Sequence, residues 1–258
     1  MIIGTFNCNS IKNRINTIID WMNKTGADVV ACQETKCQDM NFPTSVLDEA
    51  GFYYAFRGEK TFNGVCLISR KPLGDVSLFI GDDYLDSQCR FVKAKYDDIT
   101  VVNTYIPQGQ ELDSPKFQFK LDWLEGLSTY FKENYSPNDK IVWVGDFNIA
   151  KSDLDVYEPK KHWGGVGYNQ MELDALKKIT DWGFNDTFRH FHEGEEDCFT
   201  FWDYRLRGAM ERGLGWRIDY IMTTDSMLEK SVLCEVDREP RKQKPASDHT
   251  FLYAEFKD

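Results

Sequence analysis

No apolar stretch in this sequence approaches the roughly 18 residues that a bilayer-spanning helix needs, so no membrane span is expected. The first residues carry no charged segment leading into an apolar core and a cleavage site, so no secretory leader is expected either. None of the seven cysteines stands in a C-x-x-C pair, which argues against a zinc cluster. Their odd number suits a reducing, cytoplasmic setting better than a disulfide framework. Cys32 and Cys66 lie inside apolar runs and read as inert core residues. Positive charge is also scarce: 31 Lys and Arg against 42 Asp and Glu leave a net charge of −11. That balance lowers the expectation of a broadly basic nucleic-acid face. It does not exclude one, because a bound cation reverses the local sign wherever carboxylates gather to hold it. Low-complexity tracts, internal repeats and interdomain linkers are absent too. The 258 residues, 41% hydrophobic and 14% aromatic, therefore read as one domain spanning 1–258 with a sizeable core.

What the chain does contain is a set of short apolar runs that each end in a polar side chain. Four stand out: Ile2–Asn7, Asp28–Glu34, Ile99–Tyr105 and Ile141–Asn148. Their length and their β-branched and aromatic content predict buried strands. Such strands can bring Asn7, Glu34, Tyr105 and Asp146 to one sheet edge. A fifth motif, Ser247-Asp248-His249, opens a last strand ending at Phe256. Further strands are expected at 64–69, 91–96, 216–222 and 231–236. Three helices are expected among them. Ser10 caps the first, which carries Ile11, Ile15, Ile18, Ile19 and Met22 and stops at Gly26. Asp113-Ser114-Pro115 opens the second, with Phe117, Leu121, Leu124, Leu127 and Phe131 on one stripe. Asn169 and Glu172 form a capping box for the third, which ends near Gly183. Strands outnumber helices and often follow one another, which favours mixed sheets covered by helices over strict βαβ alternation. The loops at 58–63 and 160–167 are long enough to carry function.

Each motif has an ordinary explanation on its own and a chemical one in company. Glu34, at a strand exit, is a solvated loop opener or a hard oxygen ligand for Mg²⁺ or Mn²⁺. Asp146 and Asn148, two apart after Gly145, make an Asx turn or supply a base with a neutral hydrogen-bond partner. Tyr105 is a core phenol or one that faces a phosphate, as donor or as phenolate. His249 can carry a proton that stabilises phosphoryl charge if a carboxylate holds it charged. Adjacent strand residues point to opposite faces, so Asp219 is a better partner for it than Asp248. Asp219 itself sits in an apolar strand, where a carboxylate needs a partner, His249 or a base such as Arg217. The stretch Phe199–Arg205 mixes aromatic and basic residues that suit stacking and phosphate contact. Phe201 and Trp202 alternate there, one toward the core and one toward the site. Two basic stretches, Arg205/Arg207/Arg212/Arg217 and Arg238/Arg241/Lys242/Lys244, stand out against the acidic whole. Converging Asp, Glu, Asn and His residues at a sheet edge describe a divalent-metal phosphodiesterase.

Taken together, these motifs resemble the exonuclease III family of AP endonucleases, within the endonuclease/exonuclease/phosphatase superfamily. The resemblance runs nearly end to end. It rests on Phe6-Asn7, Gln33–Lys36, Asn103–Gly109, Gly145–Ile149, Asp186–Arg189, Phe201–Arg205, Trp216–Tyr220 and Ser247–His249. It implies an α/β fold, a four-layer αββα sandwich of two mixed sheets flanked by helices, like that of deoxyribonuclease I. It also implies a Mg²⁺-dependent monomer, with Mn²⁺ able to substitute, acting on double-stranded DNA. The expected reaction is cleavage 5′ to abasic sites, with 3′→5′ exonuclease and 3′-phosphatase activity at 3′ ends. Carried over residue by residue, Glu34 is the main metal ligand, Asn7 holds the metal-side network, and Asp248 tunes it from behind or at a second metal position. Asp146 activates water with Asn148 beside it. His249, oriented by Asp219, stabilises the phosphoryl centre, and Tyr105 meets the phosphate from the other side. Gln108, Phe201, Trp202, Trp216 and Arg205 are the substrate-binding set, with Phe201 and Trp216 walling a pocket for an extruded sugar. The chain departs from the pattern at Asn9, where some relatives have Asp. It departs again at Gly164–Tyr168 and Leu173, where a more basic, Arg-containing segment is expected.

Two other readings stand beside this one. An inositol-phosphate or lipid phosphodiesterase of the same superfamily fits the acidic charge but leaves the Phe201-Trp202 and Trp216-Arg217 stretches without a purpose. A catalytically inactive binding protein on this fold is disfavoured by the presence of Glu34, Asp146 and His249.

Overall fold

The computed structural model describes residues 1–257. Twelve strands form two six-stranded mixed sheets. In chain order they are β1 (Ile2–Asn7), β2 (Val29–Gln33), β3 (Tyr53–Arg57), β4 (Val65–Ser69), β5 (Gly74–Ser77), β6 (Phe91–Tyr96), β7 (Ile99–Tyr105), β8 (Ile141–Asp146), β9 (Asn185–Asp186), β10 (Asp219–Thr223), β11 (Ser231–Asp237) and β12 (Phe251–Phe256). One sheet runs β11-β12-β1-β2-β4-β3 and the other β5-β6-β7-β8-β10-β9. At the centre of each lies one parallel pair, β1 with β2 and β7 with β8. The other pairings are antiparallel.

Each parallel pair needs a crossover, and a long helix supplies it. Helix α1 (Ile11–Thr25) buries Ile11, Ile15, Ile18 and Met22 against the outer face of the first sheet, with Phe6, Val30, Cys32 and Cys66. Helices α2 (Pro115–Asn134) and α3 (Gln170–Gly183) cover the outer face of the second, where Trp123, Leu127, Phe131 and Ile179 pack on Val102, Trp143 and Met222. Between the sheets lies a third cluster that includes Ile3, Val29, Ala31, Val101, Val142, Val144 and Ile221. The layers are therefore helix, sheet, sheet, helix, as the resemblance implies. Among the described residues, no helix is long and apolar enough to cross a membrane.

The helix caps differ in how closely they follow expectation. Gly26 ends α1 in left-handed backbone at φ 74°, its N–H bonded to the Met22 carbonyl. Ser114 caps α2 through Phe117 N–H, with Pro115 in the first turn. Asn169 caps α3 through Glu172 N–H, but the Glu172 carboxylate reaches past the expected box to the N–H of Gly167 at 2.7 Å. Ser10 does not cap α1 with its side chain. Its backbone, at φ 93°, sends its N–H to the Glu34 carbonyl (2.8 Å) while Ile11 N–H reaches that of Thr35 (3.0 Å). The start of α1 is thereby pinned to the exit of β2.

The expected strand at 216–222 is also corrected, since β10 begins only at Asp219. The backbone before it is drawn aside: Trp216 bridges to Phe201 and Val156, and Arg217 N–H bonds the Asp155 carbonyl. Arg217 is fully buried. Its guanidinium meets Asp155 at 2.7 Å and grips Asp186 through two nitrogens at 2.8 and 3.1 Å. It is therefore not Asp219's partner, and it is withdrawn from the basic surface that sequence suggested. Strands β3, β5 and β9, which are edge or short strands, and the short helix Pro159–His162 inside the loop at 160–167 are additions to the expected set.

Burial opposes the charge of Asp186, but Arg217 and Lys151 outweigh it and hold the carboxyl at about 2. Against an unfolded value of ~3.9, this contributes stability that is full above about pH 4 and lost as pH falls toward 2. Arg217→Met leaves two buried carboxylates without their main partner. It is expected to cost about 3–5 kcal/mol in urea unfolding at pH 7, with a shallower loss of stability on acidification between pH 4 and 2 than in the wild type.

Candidate active site

Strand geometry builds the site. Side chains alternate faces along a strand, and on the faces turned toward the other sheet the residues change from apolar to polar at one end of the sandwich. Along β1 the series is Ile3, Thr5, Asn7; along β2 it is Val29, Ala31, Gln33; along β7, Val101, Asn103, Tyr105; along β8, Val142, Val144, Asp146. Strand β10 runs antiparallel to β8 and brings Asp219 opposite Asp146. Beneath the site is a buried polar floor. Gln33 donates to Thr5 (3.0 Å) and to Asn103 (2.7 Å), and Asn103 donates across the sheets to the carbonyls of Cys32 and Cys66 (2.9 Å each).

Asn7 lies at the centre. Its amide nitrogen donates to Glu34 Oε1 and to Asp146 Oδ2, both at 2.8 Å, and its oxygen accepts from Asn9 N–H. In this structure the Asn7 amide therefore orients two carboxylates through its nitrogen. Glu34 Oε1 also accepts from the Tyr105 phenol at 2.9 Å, and its Oε2 lies 2.6 Å from Lys36 Nζ. Burial opposes the Glu34 charge, but Lys36 and Asn7 lower its pKa overall. Burial, together with the charges of Glu34 and Asp146, raises the Tyr105 pKa well above the usual phenol value. In this structure the Tyr105 hydroxyl is a donor to Glu34. Arg90 covers the Tyr105 ring at 4.6 Å and bonds its carbonyl at 3.0 Å.

On the opposite side, His249 Nδ1 lies 2.8 Å from Asp219 Oδ2. Its Nε2 is 3.8 Å from Asp146 Oδ2, too far for a hydrogen bond. Burial works against the imidazolium, but Asp219 and Asp146 outweigh it and raise the His249 pKa to about 10. Burial pushes Asp146 up to about 7, with Asp219 and Glu34 adding to the rise and His249 and Asn7 opposing it. Asp146 Oδ1 accepts the N–H of Asn148 at 2.9 Å, and the Asn148 side chain is anchored to the Ile106 carbonyl at 3.0 Å. Asp248 stands one step further out: it accepts from Asn9 (3.0 Å), whose oxygen takes Lys36 Nζ (2.6 Å). Ligand-capable atoms of Asp146, Asp219 and His249 lie within 4.8 Å of one another, and Asp219 Oδ1 is buried without a hydrogen-bond partner. Two fully buried carboxylates, Asp146 and Asp219, thus share a single imidazole, His249. The oxygen-rich donor set suits a hard divalent ion.

Backbone conformation is unusual in the same place. Asn9, Ser10, Glu34, Lys36 and Asn148 all hold positive φ, between 42° and 93°. Residues with side chains adopt this region at a cost, and such positions gather at functional sites. Gly145 answers a stricter demand. Its φ is 144°, and a Cβ there would lie 1.9 Å from the Thr104 carbonyl oxygen, so β7 and β8 can approach closely enough to aim Asp146.

Phe201 forms backbone bridges to both Trp216 and His249, and its ring lies 4.8 Å from the imidazole. This fixes which residue of the pair faces the site. Trp202, expected among the substrate-binding residues, points the other way: it is 1% exposed and packs with Phe199 and Ala209. Arg205 is not drawn into the cluster either; its side chain stays 89% exposed and clasps Asp203. Gln108 is exposed beside Tyr105, its Oε1 accepting from Gln110 N–H. One cleft opens at Tyr105, and a second gathers basic residues around Ala246. One, of about 460 Å³, is lined by Tyr105, Gln108, Arg90, Lys60, Phe62 and Lys116. The other, of about 470 Å³, joins Tyr204 and Arg207 to Arg241, Lys242 and Lys244, so the two distant basic stretches meet in space. Sequence reasoning gave no role to Lys36 or Arg90. The available signal was a basic residue just outside an apolar strand.

Residues 4–249 match the Endonuclease/Exonuclease/phosphatase family. The chain belongs to that family. Within it, the chain is 29% identical to "Exodeoxyribonuclease III" of Haemophilus influenzae over 264 residues, covering 98% of each protein. It superposes on the solved structure of an AP endonuclease from Archaeoglobus fulgidus with a TM-score of 0.96 at 38% identity, covering 100% of both chains. It matches the Neisseria 3′ phosphatase NExo, solved with product DNA hairpin, with a TM-score of 0.94 at 32% identity, again over 100% of both chains. The chain is thus an enzyme-family member of the exonuclease III branch, with the four-layer sandwich of its neighbours.

Gly145→Ala would force Cβ into the Thr104 carbonyl at a φ hostile to alanine. The expected loss is on the order of 3 kcal/mol or more in urea unfolding; a loss below about 1 kcal/mol would show that the β7–β8 approach is not a constraint.

Proposed function

We propose that this protein is a Mg²⁺-dependent DNA-repair nuclease that cleaves the phosphodiester 5′ to abasic sites in duplex DNA, with 3′→5′ exonuclease and 3′-phosphatase activity. The observation that carries the reading is the joined set Glu34–Asn7–Asp146 and Asp219–His249, on a chain covered end to end by an AP endonuclease structure. The two clefts support a nucleic acid over a lipid or inositol phosphate. Both are lined by Arg and Lys side chains, which suit an extended phosphate backbone better than one small headgroup. On this reading the protein works as a cytoplasmic monomer.

Glu34 would hold the metal, with Asp248 acting through Asn9 and Lys36. Mg²⁺, or Mn²⁺ in its place, would supply Lewis-acid charge neutralisation at the phosphate. Asp146, in its ionised form, takes the proton of the attacking water, positioned by Asn7 and by the Asn148 N–H. The water oxygen bonds to phosphorus, the bond from phosphorus to the 3′ oxygen breaks, and that oxygen leaves as a 3′-hydroxyl after protonation. Nδ1 of His249 is committed to Asp219, which leaves Nε2 to donate to a phosphoryl oxygen. Tyr105, held protonated, donates from the Glu34 side, and Gln108 lies next along the same cleft. Phe201 and Trp216 wall the pocket for a sugar that has no base pair to break.

The deciding experiment is a Mg²⁺ time course on an end-labelled duplex with one abasic site, beside an undamaged duplex. One discrete nick at the lesion with the control intact is expected, and none in excess chelator. Progressive shortening of both duplexes would make exonuclease the main activity, and two unchanged duplexes would refute DNA as the substrate. Asp146→Asn removes the base while keeping the shape. Cleavage should fall by about 10²–10⁴-fold with abasic-duplex affinity, read by fluorescence anisotropy, within about threefold; near-normal turnover would overturn the assignment.

A further inference from the structure

Two fully buried charged residues take no part in the chemistry above. Lys120 of α2 and Glu172 in the first turn of α3 are both 0% exposed and form an ion pair with each other. Lys120 Nζ also donates to the carbonyl of Asn148 at 2.8 Å and to that of Gln108 at 3.4 Å. The other oxygen of Glu172 accepts the N–H of Gly167 at 2.7 Å and the Asn169 amide. One charge pair therefore ties together the loop after β8, the loop after β7 and the loop before α3.

Stability alone gives little reason for such a pair. Two buried charges lose much of their attraction to desolvation, and apolar replacements are often as stable. Burial lowers the Lys120 pKa and raises that of Glu172, each toward its neutral form. What the ammonium supplies, and an apolar side chain could not, is donation to two loop carbonyls at once. One belongs to Asn148, whose φ of 51° is a conformation that relaxes unless its surroundings hold it. The other belongs to Gln108.

We infer that Lys120 and Glu172 are a positioning pair for the reaction: the buried ammonium, anchored by Glu172, fixes the carbonyls of Asn148 and Gln108 and so holds the loop that presents the Asn148 N–H to Asp146 and the loop that places Gln108 in the cleft beside Tyr105. The inference rests on the proposed function for the identity of the reacting group. The pair acts through Asn148 and Gln108 and touches no substrate itself.

The test is the double variant Lys120→Met/Glu172→Gln, which removes both charges and keeps an acceptor for Gly167 N–H. It is measured with wild type on the abasic duplex and on a duplex ending in a 3′-phosphate. The expected result is a melting temperature within a few degrees of wild type, kcat lowered about tenfold or more and KM within about threefold. Combined with Asn148→Gly, the double variant should add almost no further loss, since both act through one loop. A kcat within about twofold of wild type, or full additivity with Asn148→Gly, overturns the inference. Lys120→Gln/Glu172→Gln, equally free of buried charge but polar, is the second variant, and failure of both to fold would assign the pair to folding and overturn positioning. A wild type inert on both duplexes refutes the proposed function instead. The inference is then read by ¹⁵N–¹H NMR of the free proteins, where a displaced Asn148 side-chain amide in the variant supports it and an unmoved one overturns it.

Discussion

A single amide nitrogen holds the two halves of this molecule in chemical register. Asn7 Nδ2 stands 2.8 Å from a carboxylate of its own sheet, Glu34, and 2.8 Å from Asp146 in the facing sheet. Two carboxylates that would otherwise repel each other share one donor, and the distance between the sheets sets how closely they approach. The apolar layer between the sheets fixes that distance, and the polar floor of Gln33, Thr5 and Asn103 joins the sheets just below. Around the amide, the remaining charges fall into opposed groups. Lys36 and the Tyr105 phenol serve Glu34, and His249 with Asp219 faces Asp146. The site is thus a balance of buried charge in which burial and neighbouring charges together set the ionisation of Glu34, Tyr105, Asp146 and His249.

The surrounding protein keeps that balance by refusing freedom to the backbone. Left-handed conformations at Glu34, Lys36 and Asn148 aim side chains that an ordinary strand exit would splay outward. Each strained residue is gripped from behind. The Glu34 carbonyl is bonded by the start of α1 and the Lys36 N–H by the Asn63 carbonyl, and the Asn148 carbonyl is bonded by Lys120. Elements remote from the chemistry, including the helix starts, therefore define the geometry at its centre.

Much of this was legible in the sequence because the strand repeat is short and strict. A run that alternates apolar residues toward one face and ends in a polar one announces where that residue will lie. Asn7, Tyr105 and Asp146 could be placed together on that ground alone. The same parity argument separated His249 from Asp248 and pointed to Asp219, which lies 2.8 Å away. Parity failed where no regular strand set it. Phe201 and Trp202 alternate, but only the bridges of Phe201 to Trp216 and His249 decide which one turns inward. Ser10 had the right residue type for a cap, but its backbone lies at φ 93° instead of the extended conformation of an N-cap, and its side chain makes no cap bond. The partners of Arg217 and Lys120 were hidden for a different reason. Asp155, Asp186 and Glu172 are joined to them across the fold, and a one-dimensional pattern carries no signal for a pair whose members lie 31 to 62 residues apart. Edge strands such as Gly74–Ser77 are exposed on most positions and lack the alternation that reveals a strand.

The order of strands in the first sheet has a consequence in time as well as space. β12, drawn from the last residues described, lies beside β1, drawn from the first. Ser247 bonds the Asn7 carbonyl across 240 positions of sequence, and His249 follows two residues later. Contacts so distant along the chain close late in folding, and during synthesis they cannot form until nearly all of these residues have left the ribosome. A growing chain can assemble the second sheet and its helices while lacking the imidazole and leaving the flank of β1 bare. Closure of the first sheet and completion of the Asp219–His249 contact are therefore one event, since the segment that seals the flank of β1 also delivers the imidazole.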